Sequence, residues 1–255
     1  DTHNGIPGHV ATRDFPGHVG LTDDSAEERL AEGNITHDGF INNPGGLAGV
    51  WAVENSRDAI FDAIRNRSTF ATSGPRIRPR FYAGWELADG LCSDENRVRI
   101  AGTSGVPMGQ VLSPKPGATP SFMVDALADD GGAKTGLQRV QIIKGWIDTE
   151  GRMRHKIYDV AGDAQVGADL DSKSCDPGDT GFKHLCGVWK DPDFSPDQYA
   201  FYYARVLEVP TCRWSTVQCQ QLADPSASPN CRYMEQNMVQ QRAWTSPIWY
   251  VPTKS

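Results

Sequence analysis

The chain has 255 residues, a formal charge of −7, 22% charged and 38% hydrophobic side chains, a balance that excludes wholesale disorder. No run approaches the roughly 18 apolar residues a membrane-crossing helix needs, and the scattered Lys and Arg offer no basic stripe for a nucleic acid. Gly (26) and Pro (17) are frequent, so turns and short strands are expected in place of a helical bundle.

The first residue is Asp1 with no signal-like apolar stretch behind it, which reads as a processed, cut or partial chain. Residues 1–50 are loop-like, punctuated by Pro7-Gly8, Pro16-Gly17 and Pro44-Gly45-Gly46. Ser25 with Glu28 predicts a capping box opening one short helix, with Gly33 as its stop. The segment ENSRDAIFDAIRNR predicts a second helix, capped by Asn55 or Ser56. Ile60, Phe61 and Ile64 share one face of it, expected to pack on a sheet.

From Thr69 the pattern shifts from a period of 3.6 to a period of 2. TFATS, RIRPRFYAGW, RVRIAG, SFMVDALA, LQRVQIIKGWI, HKIYDV, YAFYYARVLEV and SPIWYV are rich in β-branched and aromatic residues, with turn signals between them. Seven or eight strands without long helices predict an antiparallel β-sandwich over 75–255, preceded by an α/β-like portion over 1–74. Ile142, Trp146, Tyr202 and Val206 read as its core.

Six cysteines (Cys92, Cys175, Cys186, Cys212, Cys219, Cys231) form no CxxC pair, so the close spacing of zinc ribbons is missing. An even number among turn residues reads as bridges formed in an oxidising compartment, periplasmic or extracellular. Six cysteines permit 15 pairings. Closure of 175–186 and of 219–231 are two of the options.

Four of the six histidines (His3, His9, His18, His37) fall in the first 37 residues, and PGHV occurs twice, at 7–10 and 16–19. Imidazole and carboxylate are the usual ligands of zinc, iron and manganese. Asp1-x-His3 puts two such donors on alternate residues, where an extended segment aims both the same way. For His9, His18 and His37 the competing reading is a loop histidine bonded to a backbone carbonyl. A second cluster, Thr72, Ser73, Gly74 and Arg76, offers hydroxyls, free amides and a guanidinium that suit a phosphate or carboxylate. The alternation Arg76, Arg78, Arg80 equally fits a solvated strand face. GxSxG, HExxH, Walker A and GxGxxG patterns are missing.

Taken together, DTHN at 1–4, NPGGLAGVWAVENSRDAIFDAIRNRSTFATSGPRIRPRF at 43–81, LQRVQIIKGW at 137–146, YAFYYARVLEVPTCRWST at 199–216 and RAWTSPIWY at 242–250 resemble the C-terminal half of the bacterial domain-of-unknown-function family 3604. That family is grouped with the PHP (polymerase and histidinol phosphatase) metal-dependent phosphoesterases. The resemblance implies an α+β chain: the terminal elements of a PHP-like distorted α/β barrel over 1–74, then the sandwich. It implies that Asp1 and His3, matching a final Asp-x-His motif, ligate a divalent ion (Zn, Mn or Fe). The earlier HxH and further His and Glu ligands of such proteins have no match here, so they are expected from a missing N-terminal segment or a partner chain.

The implied activity is hydrolysis of a small-molecule phosphate ester by metal-activated water. His9 or His18 is expected as a further ligand or as the acid for the leaving alkoxide, and Thr72, Ser73 and Arg76 as pocket-lining residues. The alternative is a non-catalytic, disulfide-stabilised binding or structural module, motivated by the aromatics of RAWTSPIWY.

Overall fold

The computed structural model describes residues 3–31, 43–131, 135–168, 175–232 and 238–253. A capping box between Ser25 and Glu28 opens α1 (Ala26–Arg29). Strand β1 (Leu47–Val50) leads to α2 (Arg57–Arg65), which Ser56 caps by accepting from the Ala59 amide, and then to β2 (Thr69–Thr72). There follow β3 (Arg78–Gly84), α3 (Arg97–Ser104), β4 (Gly105–Pro107), β5 (Val111–Leu112), β6 (Ser121–Leu127), β7 (Leu137–Ile147), β8 (Met153–Gly162) and β9 (His184–Lys190). The chain ends with β10 (Ala200–Glu208), β11 (Thr211–Cys212), α4 (Trp214–Gln221), β12 (Met238–Val239), β13 (Arg242–Thr245) and β14 (Ile248–Tyr250).

Strand β10 is the axis of the larger sheet. It pairs antiparallel with β7 along one side and with β13 and then β14 along the other. The sheet extends from β7 to β8, from β13 to β2 and β1, and from β14 to β5 through a parallel pair. The smaller sheet has the order β4-β3-β6-β9, all antiparallel. Phe81, Phe122 and Val124 of the smaller sheet meet Ile142, Tyr202, Val206 and Ile248 of the larger one, and all are fully buried. Burying such large side chains contributes roughly 1.5–3 kcal/mol each. Inside this apolar layer Lys144 pairs with Asp191 at 2.6 Å, both side chains nearly inaccessible, and Tyr202 donates to the same carboxylate at 2.7 Å.

The fold is mixed α+β with mostly antiparallel sheets, and Ile142, Tyr202 and Val206 are core as expected, with Trp146 packed against them. Several expectations need correction. RVRIAG is the helix α3: Val98, Ile100 and Ala101 cover Tyr82, Leu87, Leu91 and Met123 on the outer face of the smaller sheet. Apolar spacings of two and three in so short a run satisfy both periods, and tertiary packing decides between them. Among the described residues no barrel closes, and β1 and β2 join the larger sheet through β13. Helix α2 lies against β1 with Ala63 buried, while Phe61 and Ile64 stay 59% and 53% exposed. Only the Ala59, Ile60 and Ala63 side of its apolar face is covered, and Phe61 and Ile64 do not pack on the sheet as expected.

The disulfides are Cys92–Cys186, Cys175–Cys212 and Cys219–Cys231. The 219–231 loop is closed as one of the two options had it. Cys175 and Cys186 instead reach separate partners, because the residues between them run into β9 and carry Cys186 onto the smaller sheet. Three bridges are consistent with an oxidising compartment, and no described helix is long and apolar enough to cross a membrane.

Candidate functional site

The second PGHV loop is built around Asp23. Its side chain is 1% exposed and accepts from the backbone amides of His18 at 2.6 Å and Val19 at 2.8 Å. Gly17 sits at φ +99°, and a Cβ there would meet the Asp23 carboxylate at 2.5 Å, so both backbone and space require glycine. Arg29 donates to the Asp23 carbonyl at 2.7 Å and to Gln218 of α4 at 2.8 Å, while Gln218 donates to the Phe15 carbonyl at 3.0 Å. A small core of Phe15, Leu30, Trp214 and the Cys219–Cys231 bridge lies underneath. The amino-terminal loops are thereby fastened to residues some 200 positions away.

His18 is the product of this scaffold. Its ring meets Phe15 edge to face at 4.8 Å. Both ring nitrogens are buried without a hydrogen-bond partner among the described residues. Burial holds its pKa below the ordinary value, against the pull of Asp23, and nearby His3 lowers it further, which favours the neutral imidazole that metals bind. The His3 amide donates to the His18 carbonyl at 2.6 Å, and Asn4 donates to the Gly17 carbonyl at 2.7 Å, so His3 and His18 share one corner. An orphaned neutral imidazole beside a second histidine fits one wall of a divalent-metal site. The described residues contain no group of three His, Cys, Asp or Glu side chains that closes such a site. Asp1 and His37 lie outside the described residues.

Beside this corner the first PGHV loop borders a cavity of about 530 Å³, within the range of small-ligand sites. His9, Arg13, Asp14, Arg76, Asp129 and Glu208 supply its charged and titratable lining. Gly74 is at φ +140°, and a Cβ on it would press to 3.0 Å from the Val10 carbonyl, which is how residues 6–14 and 74–76 come close enough to share a wall. Asp129 accepts from the Arg76 amide at 2.8 Å and from the Gly131 amide at 2.7 Å.

Glu208 is different from its neighbours. It is 2% exposed, and its Oε1 has no hydrogen-bond partner among the described residues. Burial, with the charge of Asp129 in addition, pushes its pKa well above the ordinary carboxylate value, so the carboxyl stays protonated where most are ionised. Its backbone is pinned: the Glu208 amide donates to the Gln241 carbonyl at 2.9 Å, and Gln240 donates to the Glu208 carbonyl at 3.0 Å.

The structure thus gathers His9 and Arg76 at the cavity and His3 and His18 at the adjoining corner. Thr72 and Ser73 do not reach the cavity wall. The Thr72 hydroxyl accepts from the Gly74 amide at 3.2 Å, and the Ser73 hydroxyl bonds Gln241 while accepting from the Arg242 amide at 2.9 Å. Both hydroxyls fix the turn that carries Arg76. Sequence reading missed Asp23 and Glu208. The second had a signal, because Tyr202, Ala204, Val206 and Glu208 alternate along one strand, and a carboxylate in that apolar row is out of place.

A family model described as "Protein of unknown function (DUF3604)" matches residues 1–252. The chain belongs to that family. No curated protein and no solved structure gave a match. The DUF3604 match takes in both the histidine corner and the cavity, so the two belong to one family unit.

Proposed function

We propose that the chain contributes to a metal-dependent hydrolase of phosphate esters, working in a periplasmic or extracellular compartment. The observation that carries this reading is the His18 imidazole, neutral, buried and unpartnered beside His3. His3 and His18, with Asp1, would hold a zinc, manganese or iron ion, and the remaining ligands would come from an N-terminal segment or a partner chain. When bound, such an ion supplies positive charge against phosphate oxygens and lowers the pKa of an attacking water.

The chain's own side chains do the rest. Arg76 presents a guanidinium at the cavity, suited to phosphate oxygens in a fork, and Asp129 holds its backbone in place. His9, at the same cavity, offers a ring nitrogen to a bound oxyanion. Asp23 keeps His18 in position by accepting from its backbone amide, and Phe15 packs edge to face against its ring.

The test is metal content and phosphomonoester turnover of the full-length protein compared with His3→Ala and His18→Ala. Loss of bound metal together with turnover is expected in both variants. Full metal content and unchanged turnover in both would remove the reading.

A second reading, a disulfide-stabilised binding module, draws on a separate apolar groove of about 330 Å³ lined by Trp146, Met153, Phe201 and Trp249. Stoichiometric association with a partner and no ester turnover with any added divalent metal would favour it.

A further inference from the structure

The wall of the cavity beside the histidine corner holds a buried carboxyl with one oxygen that has no hydrogen-bond partner among the described residues. Glu208 ends the central strand of the larger sheet, its backbone held from both neighbours, and it forms part of the cavity wall. Leaving a buried polar atom unpaired costs roughly 1–3 kcal/mol, and the neighbouring Asp129 charge adds to the difficulty of ionising it. Such a cost is typical of a functional group kept ready for a ligand. The charged groups facing the same space are His9, Arg13, Asp14, Arg76 and Asp129. The guanidinium of Arg76 suits the phosphate end of an ester, which leaves the protonated carboxyl for the organic end.

We propose that Glu208 is the general acid of this site, giving its proton to the alkoxide oxygen that leaves when a phosphate monoester occupies the cavity. The proposal rests on the phosphoesterase reading above. In the step, the attacking water oxygen forms a new bond to phosphorus and the bond from phosphorus to the ester oxygen breaks. The Glu208 proton passes to that oxygen, giving the free alcohol. Water then loses its proton to solvent, and Glu208 regains one from solvent, so charge and atoms balance. A rigid strand end suits this role, because proton transfer demands hydrogen-bond reach and fixed aim.

Leaving-group dependence tests it in the full-length, metal-loaded protein. An alkyl ester such as glycerol phosphate needs protonation of its leaving oxygen, whereas para-nitrophenyl phosphate releases a stable anion. Glu208→Gln is expected to lower kcat on glycerol phosphate by about 100-fold, in the range for loss of an acid–base group, and to lower it on the nitrophenyl ester by at least about tenfold less. Glu208→Asp, which keeps an acid but withdraws it by one methylene, shifts the ratio in the same direction by a smaller factor. Equal losses on the two esters, or no loss on either, overturn the assignment while leaving the phosphoesterase reading intact. A wild-type protein that turns over neither ester removes both.

Discussion

At the level of single residues, Glu208 also makes a prediction about stability. In the unfolded chain its carboxyl titrates in the ordinary range, near 4.5, and in the folded protein burial raises that value well above it. Between the two values the native state holds a proton that the unfolded state has released. Stability from this group therefore falls as pH rises through that window and is fully present below it. Glu208→Gln keeps the shape and abolishes the titration. Urea unfolding from about pH 4 to pH 8 is expected to find the variant more stable than wild type near neutrality, with the gap closing toward pH 4. Parallel pH profiles for the two proteins would contradict the account of a protonated, buried carboxyl. The same residue shows how legibility works at this scale. A carboxylate at the end of an apolar row was its only signal, and the cavity it borders is assembled from segments near residues 9, 76, 129, 175 and 241 that no local pattern connects. His18 was legible as a candidate because histidines crowd the first 37 residues, yet its burial depends on Asp23, Arg29 and Gln218, a chain of bonds that reaches helix α4.

Among the elements, local signals told the truth where local physics dominates. Ser56 caps α2 and the Ser25–Glu28 box opens α1, because capping satisfies backbone amides that have no other partner. Strands β6, β7, β8 and β10 form where the β-branched and aromatic runs lie, but only β10 alternates in burial, since β6 and β7 are buried almost throughout and β8 is mostly exposed. Strand β9 was hidden: Cys186 and Gly187 interrupt its apolar pattern, and the preceding turn residues suggested a loop. Its position depends on pairing with β6 and on the bridge from Cys186 to Cys92, which lies in a short 3-10 turn beneath α3. This bridge joins residues 94 apart, while Cys219–Cys231 joins residues only 12 apart. In the chain-entropy view the longer loop stabilises by roughly 4–5 kcal/mol and the shorter by about 3 kcal/mol. Removing Cys92–Cys186 as a double alanine variant is expected to lower the denaturant midpoint more than removing Cys219–Cys231. The reverse order would show that the amino-terminal loops, and not α3 and its sheet, are what the bridges chiefly hold.

Across the whole molecule, two sheets share one apolar layer, and residues 3–31 dock through Phe15 and Leu30 onto helix α4 and its disulfide at the periphery. The expected barrel portion does not close among the described residues, because β1 and β2 are taken up by the larger sheet. What remains of the expected site is a histidine corner in which the His18 ring nitrogens are buried and unpaired, and which completes no coordination shell among the described residues. That corner carries the functional account, and X-ray absorption at the metal edge of the full-length protein tests it most directly. The account predicts nitrogen or oxygen neighbours at about 2.0–2.2 Å with the outer-shell pattern of imidazole, one ring lost in His18→Ala and one in His3→Ala. A coordination shell identical in wild type and both variants would contradict it.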